Sequence, residues 1–207
     1  MTDKYILDTN LFFNLETGLK LGNKTQDVVV EFTKIANKVI KKNQVTFFMP
    51  PRVVDEFMSF FPNQNQAFIK DFLAVISIKS PKITDIDFSA TVFYQLIENI
   101  RQRSYQGLNL AEEEIIKAGH LFNGKKIDSK KDFEITLGPV IKNFRDRYRK
   151  ATRFGFLDSL ADLDLIVLAK EQDGFLLSAD EGVIAWGRLF GIKEISAEVW
   201  QKKMAAL

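Results

Sequence analysis

The sequence has 207 residues, of which 46% are hydrophobic and 27% are charged, and its formal net charge is +2. These values are typical of a globular protein with a sizeable core, and so small a net charge does not by itself indicate a nucleic-acid partner. The absence of cysteine excludes disulfides, thiolate zinc sites and cysteine nucleophiles, and the single histidine, His120, argues against histidine acid–base catalysis.

The N-terminus begins directly with an apolar strand-like segment and lacks the basic and long hydrophobic regions of a signal peptide. No apolar run approaches the roughly 20 residues that a membrane-spanning helix requires. The sequence therefore predicts a cytoplasmic protein without membrane contact.

The first third of the chain alternates between strand and helix patterns. A short buried strand is predicted over residues 4–8, and apolar residues recur with a helical period over 25–42. A second strand is predicted over 45–49, after which Pro51 opens a further helix. Residues 67–78 are apolar and fit a helix or a strand equally well.

The middle of the chain has helical patterns only. One helix is predicted from residue 85 to about 103, with Gly107 ending it, followed by a short helix over 110–118. A long helix is predicted over 132–153. Residues 82–153 are therefore predicted to be an all-helical insertion.

Alternation returns in the last third. A helix over 158–171 precedes a strand over 175–178, a helix over 181–190 and a final strand over 193–195. Alternating strands and helices at both ends of the chain predict an α/β fold with one parallel sheet. The sheet domain is expected to comprise residues 1–81 and 154–207.

Acidic residues recur where this fold would form a binding site. Three of them closely follow predicted strands, at the strand ends where open α/β sheets bind ligands: Asp8, Glu56 and Asp180. Three more lie along one predicted helix: Asp158, Asp162 and Asp164. Asp158 and Asp162 are four residues apart and share a helix face, whereas Asp164 points elsewhere.

Such a set of carboxylates fits a site for divalent cations. Mg²⁺ and Mn²⁺ prefer oxygen ligands, and two such ions can activate a water and stabilise the leaving oxygen of a phosphodiester. Each residue also has an ordinary structural interpretation: an aspartate after a strand is often a turn or cap residue, Asp158 could be a helix N-cap, and Glu56 could lie on a solvated helix face. The joint pattern favours a metal site.

The acidic residues lie in four motifs: Asp8-Thr9-Asn10, Pro51-x-x-Val54-x-Glu56, the helix with Asp162 and Asp164, and Ser178-Ala179-Asp180-Glu181-Gly182. These motifs resemble the acidic motifs of PIN-domain nucleases. Further segments resemble the HARP family, the minimal protein-only RNase P enzymes that are also known as RNA ligase partner proteins. Those segments are Ile78–Pro81, Arg101–Arg103, Gly107–Glu113, Arg145–Arg153 and Gly155–Ser159. The resemblance extends over nearly the whole chain.

The resemblance implies a PIN-like sheet flanked by helices and an endoribonuclease that removes the 5′ leader of precursor tRNA with Mg²⁺ or Mn²⁺. The catalytic residues that it implies are Asp8, Asp158, Asp162 and Asp180. The metal ligands are expected among Asp8, Asp162, Asp180, Glu56 and Asp164. It also implies that the helical insertion contacts RNA and mediates assembly of dimers into a larger homo-oligomer.

A basic stripe supports an RNA substrate. Residues 142–153 hold six basic side chains and one acidic one, a net charge of +5. Spacings of three, four and four residues place four of the basic side chains on one helix face, where they could contact phosphates: Lys142, Arg145, Arg149 and Arg153. Arg101 and Arg103 are weaker candidates. A solvated helix face is the alternative interpretation.

Three functions compete at this point. The first is tRNA 5′ processing. The second is a PIN-type toxin ribonuclease, although such proteins are usually shorter and lack a long basic helical insertion. The third is a non-catalytic RNA-binding partner of an RNA ligase, which would not require the complete acidic set.

Overall fold

The computed structural model describes residues 2–42, 44–84, 86–153, 155–157 and 159–206, with the backbone alone for Arg153. The chain forms two compact units. The first, Met1–Ser89 with Leu157–Leu207, is called the sheet unit here, and the second, Ala90–Phe156, the helical unit. In the part of the chain that is described, no helix combines the length and the apolarity that spanning a membrane requires.

The sheet unit contains a parallel β-sheet flanked by helices. Within the described residues the sheet has five strands in the order β3-β2-β1-β4-β5. The strands are β1 (Asp3–Leu7), β2 (Val45–Met49), β3 (Ile76–Ile78), β4 (Phe175–Leu177) and β5 (Lys193–Glu194). The helices are α1 (Asn10–Phe13), α2 (Thr25–Lys41), α3 (Pro51–Ser59), α4 (Ala67–Ala74), α7 (Leu160–Gln172), α8 (Glu181–Leu189) and α9 (Ala197–Ala205). The predicted α/β class with a parallel sheet is confirmed.

The core of the sheet unit is rich in aromatic side chains. The Tyr5 ring of the central strand stacks between Phe47 of β2 and Phe175 of β4, with centroid distances of 5.9 and 5.7 Å. Trp200 of α9 is fully buried and stacks on Phe32 of α2 at 5.3 Å. Large aromatic surfaces removed from water supply much of the driving force for this packing.

Two elements of the sheet unit refine the sequence prediction. The ambiguous segment 67–78 contains both alternatives, because α4 ends at Ala74 and β3 begins at Ile76. The C-terminal helix α9, which the sequence prediction omitted, begins after Ser196, whose hydroxyl caps it by accepting from the Val199 amide.

The helical unit is an antiparallel pair of long helices, α5 (Thr91–Phe122) and α6 (Lys130–Arg153). The prediction that Gly107 ends one helix and that residues 110–118 form another is wrong, because α5 continues through both. A Cβ atom at Gly107 would lie 2.8 Å from the Tyr148 ring. This glycine therefore permits close approach of α6 rather than breaking the helix.

A buried carboxylate links the two helices of this unit. Glu114 of α5 is 5% exposed, and its Oε1 accepts from Lys117 at 2.7 Å, Asn143 at 2.9 Å and Arg147 at 2.7 Å. Arg147 also pairs with Glu113 at 2.7 Å. These cationic partners lower the pKa of Glu114 to about 2, with Lys117 the larger influence.

Candidate active site

Asp8 lies at the end of the central strand and is almost completely buried, with 3% exposure. The strand ladder continues to it, since the Asp8 amide donates to the Leu177 carbonyl. Its carboxylate accepts hydrogen bonds from the Ser178 hydroxyl, the Asn10 amide at 3.3 Å and the Thr9 hydroxyl at 3.4 Å. Burial nevertheless raises the pKa of Asp8, and the charges of Asp180 and Glu56 raise it further.

Asp180 follows the neighbouring strand β4 and caps α8. Its Oδ1 accepts from the amides of Gly182 at 2.7 Å and Val183 at 3.1 Å. Its own amide donates to the Ser178 hydroxyl at 2.9 Å, and that hydroxyl donates to Asp8. Asp180 is therefore a helix cap, as its ordinary structural interpretation predicts. Its shared contact with Ser178 also holds Asp180 close to Asp8.

Glu56 of α3 and Asp162 of α7 lie close enough for their charges to interact. The pKa of Glu56 is raised first by burial and then by the charge of Asp162, while the nearby Thr9 hydroxyl lowers it. Asp162 lies in the first turn of α7, where its amide donates to the Ser159 hydroxyl at 3.0 Å. Ser159 is therefore the N-cap of α7.

The four carboxylates that influence one another in this way are called the acidic cluster here: Asp8, Glu56, Asp162 and Asp180. Because β1, β2 and β4 are parallel neighbours, their carboxyl ends meet at one edge of the sheet, and that geometry brings Asp8, Glu56 and Asp180 together. Asp158 lies outside the described residues.

Asp164, also predicted as a metal ligand, has a different partner. It is 7% exposed, and its Oδ2 accepts from the Arg52 guanidinium at 2.6 Å. Its role as a ligand stays a prediction.

The chemistry of the acidic cluster suits a divalent cation. Its members offer hard oxygen donors, and their mutual repulsion is what a bound cation would relieve. Among the described residues, no three acidic or histidine side chains are arranged around one point with metal-ligand geometry. The cation site therefore stays a prediction, and the residues that could form it are those of the acidic cluster.

The predicted RNA-binding residues lie on the helical unit and differ in their surroundings. Lys142, Arg145 and Arg149 of α6 are exposed. Arg101 is exposed and lies over the Tyr105 ring at 6.0 Å. Arg103 is engaged within its own unit, donating to the Thr152 carbonyl at 2.7 Å and lying 4.6 Å from the Phe156 ring centroid. The side chain of Arg153 lies outside the described residues.

Several residues that contact the carboxylates of the site received no role from the sequence, and Asn10, which donates to Asp8, is one of them. Ser178 and Thr9 hold the carboxylates by hydrogen bonds, and Arg52 binds Asp164. Thr9 and Ser178 lie next to the strand ends that carry the predicted ligands Asp8 and Asp180, so their position was the available signal. Nothing in the sequence paired Arg52 with a residue 112 positions away.

The parallel sheet flanked by helices is consistent with a PIN-like fold. The model of the PINc domain ribonuclease family matches residues 4–207, which places the chain in this class of nucleases. Similar proteins named RNA-free ribonuclease P occur in several organisms. That of Pyrococcus horikoshii is 34% identical over 204 residues, covering 99% of this chain and 92% of its own. That of Thermodesulfovibrio yellowstonii is 35% identical over 195 residues, covering 94% and 90%. That of Nitrosococcus oceani is 34% identical over 193 residues, covering 93% and 89%.

The chain therefore belongs to the PINc domain ribonucleases and, among them, to the family of the RNA-free ribonuclease P proteins. The resemblance drawn from the sequence motifs is confirmed. Membership makes the protein an endoribonuclease.

Proposed function

We propose that this protein removes the 5′ leader of precursor tRNA in the cytoplasm, by metal-dependent hydrolysis at the acidic cluster. The observation that carries the proposal is the convergence of Asp8, Glu56 and Asp180 at one sheet edge, in a chain of this family. PIN nucleases generally depend on divalent metals, and Mg²⁺ or Mn²⁺ is the proposed cofactor.

The residues of the site have distinct tasks in this proposal. A divalent cation, when bound, supplies Lewis-acid activation of the attacking water and neutralises phosphate charge. Asp8, Glu56, Asp162 and Asp180 hold it. Ser178 keeps Asp8 and Asp180 in register through its hydroxyl, and the Thr9 hydroxyl donates to Asp8. Preorganised ligands of this kind avoid rearrangement during the reaction.

The helical unit is proposed to bind RNA and to mediate self-association. The exposed cations Lys142, Arg145 and Arg149 suit phosphate contacts along a tRNA backbone. Exposed apolar side chains on α5 suit an interface between copies of this chain: Tyr94 is 76% exposed, Ile97 65% and Ile115 69%. Dimers that assemble into a larger homo-oligomer are the proposed form.

One assay tests the proposal. Purified protein is incubated with end-labelled precursor tRNA, with and without Mg²⁺, and the cut is mapped. We expect cleavage at the 5′ end of the mature tRNA that requires the metal and is lost in Asp8→Asn and Asp180→Asn. Undiminished cleavage by those variants contradicts the proposal. Cleavage of RNA without leader removal indicates a toxin-like ribonuclease, and binding without cleavage under any metal indicates a non-catalytic partner.

A further inference from the structure

We propose that Arg52 and Asp164 are positioning residues, whose ion pair holds α3 against α7 and thereby keeps Glu56 beside Asp162. This inference rests on the proposed function, because it concerns the same acidic cluster.

The ion pair has the features of a strong contact. The Arg52 Nη1 and Asp164 Oδ2 atoms are 2.6 Å apart, and the Asp164 side chain is only 9% exposed, although that of Arg52 is 57% exposed. A carboxylate in so sheltered a place is little screened by salt and costly to leave without its partner. The pair joins residues 112 positions apart, so it acts between α3 and α7, which pack on each other.

The same two helices carry half of the acidic cluster. Arg52 and Glu56 are four residues apart on α3 and therefore share one face of that helix. Asp162 and Asp164 lie two residues apart on α7. The packing of α3 on α7 thus combines one attractive pair, Arg52 with Asp164, and one repulsive pair, Glu56 with Asp162.

The attraction offsets the repulsion that would otherwise push α3 away from α7. If the ion pair is lost, Glu56 is free to move away from Asp162, and the two carboxylates no longer present one set of ligands. Catalytic groups need placement to within about half an ångström, and a displacement of about 1 Å can cost roughly a hundredfold in rate.

The test uses four variants and one matched control. The variants are Arg52→Gln, Asp164→Asn, the double variant Arg52→Gln/Asp164→Asn, and Arg52→Lys. The control is Arg188→Gln, which breaks an ion pair of the same chemical type with Glu194 elsewhere in the sheet unit. The readouts are kcat and KM for precursor tRNA, the Mn²⁺ concentration that gives half of the maximal rise in Tm, and Tm in EDTA.

We expect each of the two single neutralising variants to lower kcat about tenfold, to change KM less than twofold and to raise the half-saturating Mn²⁺ concentration about tenfold. The double variant is expected to be no worse than either of them, because both remove the same contact. Lysine at position 52 keeps the charge and is expected to restore part of the activity. The control is expected to match wild type.

Each alternative gives a different pattern, and each overturns the proposal. A loss in KM with a smaller salt dependence in Arg52→Gln alone means that Arg52 contacts an RNA phosphate. A loss of kcat and Mn²⁺ response in Asp164→Asn alone means that Asp164 is a metal ligand. Wild-type behaviour of both variants, or independent effects of the two changes on Tm in EDTA, means that the pair positions nothing.

Two features keep the test decisive. If Arg52→Gln fails to fold because it strands a buried carboxylate, the double variant removes that charge and still lacks the ion pair. If the wild-type protein does not cleave precursor tRNA, the proposed function fails, whereas the Mn²⁺ titration and the unfolding in EDTA still test the ion pair.

Discussion

Each unit of the molecule contains a buried carboxylate that is central to its surroundings, and the pKa values of these two carboxylates shift in opposite directions. Glu114 of the helical unit is neutralised by Lys117 and Arg147, and its pKa falls to about 2. Asp8 of the sheet unit is buried beside Asp180 and Glu56, and its pKa rises. A carboxylate matched with protein cations stabilises structure, whereas one buried among other carboxylates destabilises it.

The unfavourable burial of Asp8 beside other carboxylates explains why we propose that the sheet unit catalyses cleavage and the helical unit binds RNA. Carboxylates that repel one another are stabilised strongly by a bound cation, since the cation relieves their repulsion. The helical unit has the complementary property, because Lys142, Arg145 and Arg149 of α6 are exposed and accessible to a polyanion. The sheet unit thus suits metal-dependent catalysis, and the helical unit suits RNA binding.

The largest expected effect comes from removing the buried charge of the sheet unit. Asp8→Asn is expected to reduce the rate of leader removal by roughly a thousandfold or more, because it takes a ligand from the acidic cluster. Its Tm in EDTA is expected to equal or exceed that of wild type, because repulsion by Asp180 and Glu56 disappears. Single-turnover cleavage and thermal unfolding measure the two quantities.

The matched control is Asp71→Asn, which changes an exposed aspartate of α4 in the same unit and should leave the rate unchanged. A marked drop in the Tm of Asp8→Asn in EDTA would show that Asp8 is a structural carboxylate like Glu114, and the contrast between the two units would be lost.

The next effect concerns substrate binding by the helical unit. Replacing Lys142, Arg145 and Arg149 together by glutamine is expected to weaken tRNA binding about tenfold to a hundredfold, and to reduce the slope of log K against log salt by about two to three. The cleavage rate at saturating substrate should change little. Filter binding over a series of salt concentrations measures both.

A triple replacement of exposed lysines on α2, Lys34, Lys38 and Lys41, controls for the loss of net charge alone. Equal weakening by the two triple variants would mean that RNA responds to total charge and that α6 is an ordinary solvated face.

A third test addresses the neutralised carboxylate. Glu114→Gln is expected to accelerate amide hydrogen exchange in α5 and α6 about tenfold, because Lys117 and Arg147 lose the charge between them. The control is Glu113→Gln, since Glu113 also pairs with Arg147 but is 53% exposed, and such pairs contribute little. Equal effects of the two variants would contradict a special role for the buried carboxylate.

The pH dependence follows from the same pKa. Because the folded-state pKa of Glu114 is lowered from 4.5 to about 2, its contribution to stability is fully present above pH 4.5 and is lost as pH falls toward 2. Exchange protection in the wild-type helical unit should therefore decrease over that window more than in Glu114→Gln.

Features that depend on residues close together in the sequence could be predicted, whereas features that depend on contacts between distant segments could not. The parallel sheet and the strand ends at Asp8 and Asp180 follow from local patterns of apolar residues and from the rule that binding sites form at strand ends. The end predicted at Gly107 was wrong because the deciding contact, with Tyr148, joins two helices. A glycine that ends a helix and one that allows close packing look alike in one sequence.

The site shows the same limit. Spacing alone could place Asp162 on a helix face, but it could not show that Asp164 is bound by Arg52, because that pair forms only when α3 meets α7. The roles of the predicted ligands and RNA-binding residues remain predictions for the same reason: they depend on molecules outside this chain.

The smallest expected effect separates stability from positioning. Ser159 caps α7 by accepting from the Asp162 amide at 3.0 Å, and Ser196 caps α9 by accepting from the Val199 amide at 3.3 Å. Either serine-to-alanine change is expected to cost about 1 kcal/mol of stability.

Only Ser159→Ala loosens the turn that carries a member of the acidic cluster, so only this variant should require more Mg²⁺ for half-maximal cleavage, by about twofold to fivefold. Urea unfolding measures the first quantity and a Mg²⁺ titration of the cleavage rate the second. An equal requirement for Mg²⁺ in both variants would mean that the start of α7 tolerates fraying, and that the position of Asp162 is set by the packing of α7 on α3 rather than by its cap.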